Sequence, residues 1–278
     1  MKFKAIAIDG PAGAGKSTVA KILSKKIGFT YIDSGALFRA ITLKILKLGI
    51  DINDIDTIIK HAQNKKIDFV ENSIYLDGID VSREIRADVV NKKVSYIAMI
   101  PEVREIIVNI QREIAKTNSV VVDGRDIGTT VFPDAFAKFF LTASVDERAR
   151  RRYNQYLDKM KYSLEDIKNQ IIQRDYIDSN RESSPLKQAD DAILIDTTNK
   201  SIDEVIKEIL YHINMKGGIW LLYKIAKFIL KPIFNTLYVV KVQGLDKLPK
   251  CNGYIVCGNH IKAVDPILIG INLPDRIN

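Results

Sequence analysis

The stretch AIAIDGPAGAGKSTVAKILS, residues 5–24, decides the fold. Four apolar residues lead into a loop with three glycines, which ends in a lysine, two hydroxyl residues and a helix-like pattern. Gly10, Gly15, Lys16 and Ser17 match the pattern G-x-x-x-x-G-K-S/T, and the match lies where that pattern requires, between a predicted strand and a predicted helix. We therefore predict a phosphate-binding loop at the end of the first strand.

The chemistry of such a loop indicates a nucleoside triphosphate, with Mg²⁺ as the cofactor. Glycines let the backbone approach a phosphate closely, and the amides at the helix N-terminus supply positive potential. Lys16 can reach the outer phosphates and the Ser17 hydroxyl can bind Mg²⁺. The predicted ATP-binding residues of this loop are Gly10, Gly13, Gly15, Lys16, Ser17 and Thr18.

The rest of the N-terminal three quarters predicts an α/β fold of the P-loop NTPase type. Apolar runs alternate with helical periodicity, which favours a parallel sheet covered by helices on both faces. An exception is 57–95, where short strands flank an Asp-Gly turn with no helix between them, so we predict a small insertion beside the sheet. The apolar runs lie at 3–9, 28–33, 119–123, 137–143 and 192–197.

Bulk properties favour a cytoplasmic protein with an anionic partner for its C-terminal part. Residues 211–278 hold 9 of the 42 Lys and Arg but only 3 of the 34 Asp and Glu, so this part carries most of the net charge of +8. We find neither a secretion signal nor a long apolar span, and the two cysteines lack metal or redox spacing.

Three activities fit a nucleotide loop, and the arginine content favours a kinase. A GTPase requires a guanine-reading Asn-Lys-x-Asp, but no Asn-Lys of this chain has an aspartate in the required place. Asn64, Asn91 and Asn199 are followed there by Ile67, Val94 and Ile202. A kinase brings two phosphate groups together and needs arginines to neutralise them. A nucleotide-binding module without turnover stays open as a third possibility.

Four segments resemble the bacterial cytidylate kinases, in order, over residues 1–212. Their combination of D-S-G-A-x-x-R, D-G-R-D-x-G and R-D-x-x-D-x-x-R with the phosphate loop is specific. The resemblance implies ATP-dependent phosphorylation of CMP and dCMP by in-line transfer, without a nucleic-acid partner. The segments are DSGALFR (33–39), SYIAMIPEVR (95–104), VVVDGRDIGTTVFPDA (120–135) and QRDYIDSNRESSPL (173–186).

The resemblance also implies roles for individual acceptor-side residues. Arg39 and Arg125 would grip the acceptor phosphate beside Ser34, and bidentate guanidinium groups suit that task. Other sets would read the cytosine, hold the ribose or act in catalysis. The base-reading set is Ser95, Arg104 and Asp126; the ribose set is Arg174, Asp178 and Arg181; the catalytic set is Lys16, Arg125, Arg174 and Arg181. The family usually has tyrosine where this chain has Phe38.

Two further assignments leave alternatives open. Asp123 could orient the waters of Mg²⁺, as a Walker-B-like carboxylate does, or it could only cap the following turn. A mobile lid over ATP is expected at 148–162, and a solvated helix face is the alternative role for its arginines. The candidate phosphate contacts there are Arg148, Arg151 and Arg152. The insertion at 57–95 would correspond to the family's CMP-side segment.

The C-terminal part, 217–278, is expected to be a partial second domain. Its segment 219–238 carries lysines on one helical face, which suits peripheral contact with the inner face of the membrane, although a core-packed linker helix is the alternative. The run GYIVCGNHIKAVDP (253–266) resembles the first motif of lysophosphatidate-type acyltransferases, with His260 and Asp265 in the catalytic places. Later motifs are missing, so we expect a truncated, inactive α/β segment.

A competing function is therefore a membrane-peripheral lipid acyltransferase with an auxiliary nucleotide-binding domain. The missing acyltransferase motifs weigh against it. A monomer is favoured.

Overall fold

The computed structural model describes residues 3–63, 67–70, 73–155 and 163–216, together with Phe228 and Pro232. The chain divides into two compact units, Met1–Ile209 and Leu210–Asn278. Several predicted features lie outside the described residues: lid positions 156–162, nearly all of the helix predicted at 219–238, and both His260 and Asp265.

The elements follow one another in the α/β order that the sequence predicts. The strands are β1 (Ala5–Asp9), β2 (Thr30–Asp33), β3 (Ile67–Val70), β4 (Ser73–Leu76), β5 (Ile79–Asp80), β6 (Val120–Asp123), β7 (Ala137–Thr142) and β8 (Ile193–Asp196). The helices are α1 (Lys16–Ile27), α2 (Ser34–Lys47), α3 (Ile55–Gln63), α4 (Asp88–Ile97), α5 (Pro101–Thr117), α6 (Val145–Gln155), α7 (Leu164–Asn180) and α8 (202–216). Short helical turns lie at Glu84–Arg86 and Ile127–Val131.

The main sheet is parallel throughout and confirms the predicted fold class. Its strand order is β2-β6-β1-β7-β8, so β1 lies at the centre between β6 and β7. All five apolar runs that the sequence indicates are strands of this sheet. Because parallel strands end at the same edge, the loops after β1, β2 and β6 meet there, and this edge is where such folds bind ligands.

Local signals place the helices against this sheet. α1 lies between two glycines in left-handed conformation, Gly15 with φ 87° and Gly28 with φ 70°. α2 begins where the side chain of Asp33 accepts a hydrogen bond from the Ala36 amide at 2.7 Å. Apolar side chains of α2 and α5 then pack with β2 and β6 in one core, which contains Ile32, Leu37, Ile41, Val103, Ile107, Val120 and Val122.

A smaller core joins α6 to α7. Ala149 from α6 packs with Ile167 and Ile171 from α7, and the three side chains are almost fully buried. α7 starts with a capping box between Ser163 and Asp166. This packing presents the C-terminal half of α7 to the sheet edge, where its charged residues become part of the site.

The insertion contains more helix than the sequence indicated. Its strands form the antiparallel sheet β3-β4-β5, and the Asp77-Gly78 turn between β4 and β5 has positive φ at both residues, as predicted. Within the described residues no helix separates β3, β4 and β5, as expected, but two helices that the sequence analysis did not identify flank these strands: α3 covers the start of 57–95 and α4 its end. In α3, Ile58 and Ala62 recur at helical spacing and are buried in the main core.

No helix in the described part of the chain combines the length and the apolar character that crossing a membrane requires.

Candidate active site

The phosphate loop lies against β7, and this contact explains why it begins with glycine. A Cβ at Gly10 would lie 1.9 Å from the Leu141 carbonyl oxygen, and the residue has φ 142°. Only glycine fits both constraints. The loop therefore leaves β1 in a sharp turn that leads to the start of α1.

Lys16 is a buried cation at the start of α1. It is 6% exposed, and its Nζ donates to the Pro11 carbonyl oxygen at 2.6 Å. Burial and the charge of Arg125 hold the pKa of Lys16 well below its usual range. An ammonium group in this position is electrostatically unfavourable until an anion arrives, so the site is suited to phosphate.

The serine after this lysine is bonded to the last residue of β6. Ser17 Oγ donates to one Asp123 carboxylate oxygen at 2.7 Å, and Tyr31 Oη donates to the other at 2.8 Å. Burial and the neighbouring charge of Asp33 raise the pKa of Asp123 to about 6. The adjacent hydroxyl and carboxylate oxygens fit a hard cation such as Mg²⁺. This arrangement favours the Walker-B-like role over the capping alternative.

Nothing in the local sequence pointed to Tyr31, which the periodicity assigned only to a buried strand.

Three arginines, Arg125, Arg174 and Arg181, gather around the carboxylate of Asp178 beside the phosphate loop. Arg125 Nε donates to Asp178 at 2.9 Å, and Arg174 Nε lies 4.0 Å from the same carboxylate. Burial by itself would lower the pKa of Arg125, but the ion pair with Asp178 outweighs the effect of burial and raises the pKa of Arg125. Burial and repulsion by Arg125 lower the pKa of Arg174 to about 9. The cluster holds more positive charge than its carboxylate neutralises.

Arg39 and Arg174, which repel each other electrostatically, each have an unused buried donor. The Nε atoms of Arg39 and Arg174 are buried and find no hydrogen-bond partner within the described residues. A buried guanidinium group that lacks an acceptor is unfavourable, and a phosphate oxygen supplies one. The predicted phosphate-contacting arginines are therefore brought together, and they present free donors.

The predicted base-reading residues form a second buried group. Arg104 forms an ion pair with Asp126 and donates to the Ala98 carbonyl oxygen at 2.9 Å. Arg181 lies 3.7 Å from the other oxygen of Asp126. The Arg104 guanidinium lies 5.3 Å from the centre of the Phe38 ring, so the ring keeps a stacking contact without a hydroxyl. Asp126 is thus fixed between two arginines.

Ser95, the third predicted base reader, lies on a cleft between α4 and α7. The cleft has a volume of about 270 Å³ and is also lined by Tyr96, Arg152 and Arg174. The cleft therefore connects the base-reading residue of α4 with the arginines near the phosphate loop.

The start of α2 supplies the remaining acceptor-side residues. Ser34 is buried at the helix N-terminus, and Arg39 pairs with Asp33 at 3.1 Å. Asp33 also faces Arg86, from the insertion, at 3.7 Å. Asp33 is the first residue of the D-S-G-A-x-x-R motif, but the resemblance implied no role for it. Its charge orients Arg39 and caps α2 at the same time.

Arg148 of α6 donates to the phosphate loop and Arg151 donates to the residue after β8, contacts that neither sequence alternative anticipated. Arg148 is 5% exposed, so a solvated face is wrong for this residue. It donates to the Ala12 and Ala143 carbonyl oxygens, each at 3.0 Å, and pairs with Asp175 of α7. Arg151 donates to the backbone oxygen of Thr197 at 2.6 Å. These bonds tie α6 and α7 to the loop.

Asp175 is the acidic partner of Arg148 in the ion pair that joins α6 to α7, and removal of its charge should lower the free energy of unfolding. The Asp175→Asn variant would leave the buried Arg148 without its charge partner, so we expect the free energy of unfolding to fall by about 2 kcal/mol. Urea unfolding of this variant and of Asp190→Asn, an exposed acid-to-amide control, measures the effect. An unchanged unfolding midpoint for Asp175→Asn would show that the link contributes no stability.

Comparisons with known proteins agree on one family. The family model described as Cytidylate kinase matches residues 6–215. The cytidylate kinase of Clostridioides difficile is 53% identical over 211 residues, which cover 76% of this chain and 98% of that protein. The cytidylate kinase of Alkaliphilus oremlandii is 51% identical over 220 residues, covering 79% of this chain and 100% of that protein.

Proposed function

Because the chain belongs to the cytidylate kinase family, we propose that it transfers the γ-phosphoryl group of ATP to CMP and dCMP, which yields CDP and dCDP. The observation that carries this proposal is the pair of adjoining buried groups at one sheet edge. Lys16, Arg125 and Arg174 form a cationic pocket with unused donors. Beside them, Arg104 and Asp126 form a polar pair of the kind that reads a base.

On the ATP side, the phosphate loop wraps the β- and γ-phosphates and Lys16 contacts their oxygens. Ser17 and Asp123 would hold Mg²⁺, and the ion when bound supplies positive charge that offsets the charge of the triphosphate. Tyr31 holds the second oxygen of Asp123, so the carboxylate keeps one orientation. Arg148 supports the loop from behind through the Ala12 carbonyl.

On the acceptor side, the arginines place and neutralise the CMP phosphate. Arg39 and Arg125 grip its oxygens, and Arg174 and Arg181 stabilise the charge that spreads over the transferring group. Asp178 orients Arg125 and Arg174 and contacts the ribose. An oxygen of the CMP phosphate then attacks the γ-phosphorus in line, and no covalent intermediate with the protein is needed.

Specificity for cytosine follows from the donors and acceptors of the base. Asp126 accepts from the exocyclic amine, while Arg104 donates to the ring carbonyl and ring nitrogen. Uracil would direct a carbonyl at the carboxylate and leave both unpaired, which costs binding energy in a buried site. Ser95 completes this group from α4.

An acceptor panel tests the function directly. We expect ADP production from ATP and Mg²⁺ in the presence of CMP or dCMP, and little with UMP, AMP or no acceptor. Equal turnover with all acceptors, or none with any, would contradict the proposal.

The Asp126→Asn variant tests the base-reading assignment. An amide at this position can meet the uracil carbonyl, so we expect the preference for CMP over UMP, as a ratio of kcat/KM, to fall about 10²-fold. Asp134→Asn replaces an exposed acid further along the same loop and serves as the matched control. Unchanged selectivity in the folded Asp126→Asn variant would remove the role assigned to Asp126.

For the domain organisation, we propose a cytoplasmic kinase domain at 1–212 with a CMP-side insertion at 57–95 and a lid at 148–162. The family match ends at residue 215. The acyltransferase-like motif with His260 and Asp265, the membrane contact through 219–238 and the monomeric state stay predictions. A vesicle-flotation assay of the full chain, with and without anionic lipid, tests the membrane contact.

A further inference from the structure

Asp9 is a buried carboxylate that the proposed chemistry does not use. It ends β1 immediately before the phosphate loop and is 5% exposed. Its two oxygens accept hydrogen bonds from consecutive backbone amides across the sheet edge, Ile127 at 2.8 Å and Gly128 at 2.7 Å. Both oxygens are therefore directed at the chain that follows Asp126 rather than at the phosphate loop.

The turn that receives these bonds is also held at its other end. The Asp126 carbonyl oxygen accepts from the amide of Thr130 at 2.8 Å, which starts a single helical turn over Ile127–Val131. Arg112 of α5 donates to the carbonyl oxygens of Thr130 and Val131, each at 3.0 Å. The carboxylate of Asp9 thus binds free amides at the N-terminal end of the turn, and the guanidinium group of Arg112 binds free carbonyls at its C-terminal end. This distribution of charge stabilises a helical turn.

Close packing confines the turn further. A Cβ at Gly128 would lie 3.0 Å from Lys138 and 3.3 Å from the carboxylate of Asp9, so the backbone is in direct contact with both. Small displacements of this backbone would move Asp126, the residue before the turn, and Arg125 with it.

We propose that Asp9 is a positioning residue for acceptor specificity, which holds the turn at 127–131 so that Asp126 faces the base and Arg125 faces the acceptor phosphate. This inference rests on the proposed function, because it requires Asp126 to read cytosine. Asp9 acts through the backbone and does not touch either nucleotide. Asp9 must be ionised for this role, because both of its oxygens accept hydrogen bonds from backbone amides.

The Asp9→Asn variant tests whether Asp9 affects the acceptor side of the site more than the ATP side. The asparagine amide group would face a backbone N–H, so one of the two hydrogen bonds is lost while the volume is kept. We expect the KM for CMP to rise about tenfold and the preference for CMP over UMP to fall about tenfold. The KM for ATP should stay within about twofold, because both carboxylate oxygens bond to the turn and the charge of Asp9 makes only a minor electrostatic contribution at Lys16. Asp134→Asn is the matched control for acid-to-amide exchange.

A second variant keeps the proposal testable if Asp9→Asn does not fold. Arg112→Gln removes the guanidinium group that binds the carbonyl oxygens at the other end of the same turn. We expect the preference for CMP over UMP to fall in this variant as well. Hydrogen exchange at residues 125–131 should accelerate in both variants, which reports the turn independently of activity.

Three outcomes are distinguishable in one assay series. A fall in CMP preference in Asp9→Asn with an unchanged KM for ATP supports the proposal. Unchanged selectivity in folded Asp9→Asn, or in Arg112→Gln if the first variant is unfolded, overturns it. If Asp126→Asn itself leaves selectivity unchanged, the base-reading assignment has failed, and the inference about Asp9 falls with it.

Discussion

The Lys16→Met variant is expected to lose catalysis by about 10³-fold in kcat, because the site loses the phosphate-loop cation that would offset charge on the transferring phosphoryl group. The same substitution should raise the melting temperature of the ligand-free protein. Burial and the charge of Arg125 depress the pKa of Lys16 from its ordinary value of 10.5. The resulting penalty is fully present below the depressed pKa and disappears as the pH rises toward 10.5, so a neutral side chain removes it at pH 7.

Steady-state kinetics and thermal unfolding measure the two effects on one preparation. Lys25→Met, on the exposed face of α1, is the matched control and should change neither quantity. A Lys16→Met protein with kcat within tenfold of the parent would show that the phosphate loop does not serve phosphoryl transfer. A lower melting temperature would show that the bond from Lys16 to Pro11 outweighs the repulsion.

Arg125→Lys should also cause a large loss, although it keeps the positive charge. Arg125 donates its Nε to Asp178 and one Nη to the Gly124 carbonyl oxygen, and its guanidinium group has further N–H donors for the acceptor phosphate. An ammonium group cannot make these contacts in the same plane. We expect kcat/KM for CMP to fall about 10²-fold, and the melting temperature to change little because the charge balance with Asp178 is kept. Arg125→Met, which also strands Asp178, should lose more activity and some stability.

The interpretation of the Arg125 variants depends on whether the KM for CMP or the KM for ATP changes more. Arg83→Lys, in the insertion and exposed, is the conservative control. For Arg125→Lys we expect the effect on the KM for CMP to exceed that for ATP. An effect confined to ATP would move Arg125 from the acceptor side to the donor side of the site.

These two predictions share a physical cause, which is the concentration of positive charge at the sheet edge. Lys16, Arg174 and Arg181 have lowered pKa values, in each case with burial as the largest cause. Such a cluster destabilises the free protein and favours the complex, since bound phosphates remove the repulsion and use the free donors. We therefore regard the arrangement as prepared for two anionic ligands.

Local sequence patterns were sufficient for most of the fold. The five apolar runs became the five parallel strands, and the glycine-rich stretch became the loop after β1. The helical periodicities likewise became helices. The exception was the insertion, where the short helix α3 was missed because its pattern spans only two turns before the strands begin. Short amphipathic segments give too few repeats to separate helix from loop.

The candidate site residues were predicted from motifs, but the residues that they contact in the fold were not. Arg148 was expected to contact phosphate or solvent, and nothing in its local pattern indicated that it donates to the backbone of Ala12 and Ala143. Tyr31 had no assigned role, and it holds Asp123. Asp9 ends a buried strand with a charge, which was a signal that a partner must exist, but the sequence could not say which amides that partner would be.

The sequence by itself determined the phosphate loop, the parallel sheet and the family, because each depends on residue types at short, regular spacings. Tertiary structure alone decided the pairs that join distant segments, such as Asp9 with Gly128, Ser17 with Asp123, and Arg148 with Asp175. Such pairs form only when packed elements bring their ends together, and hydrogen bonds reach about 3 Å. An aspartate or arginine has the same local pattern whether its partner is solvent, a backbone amide or a substrate, so only the fold can distinguish them.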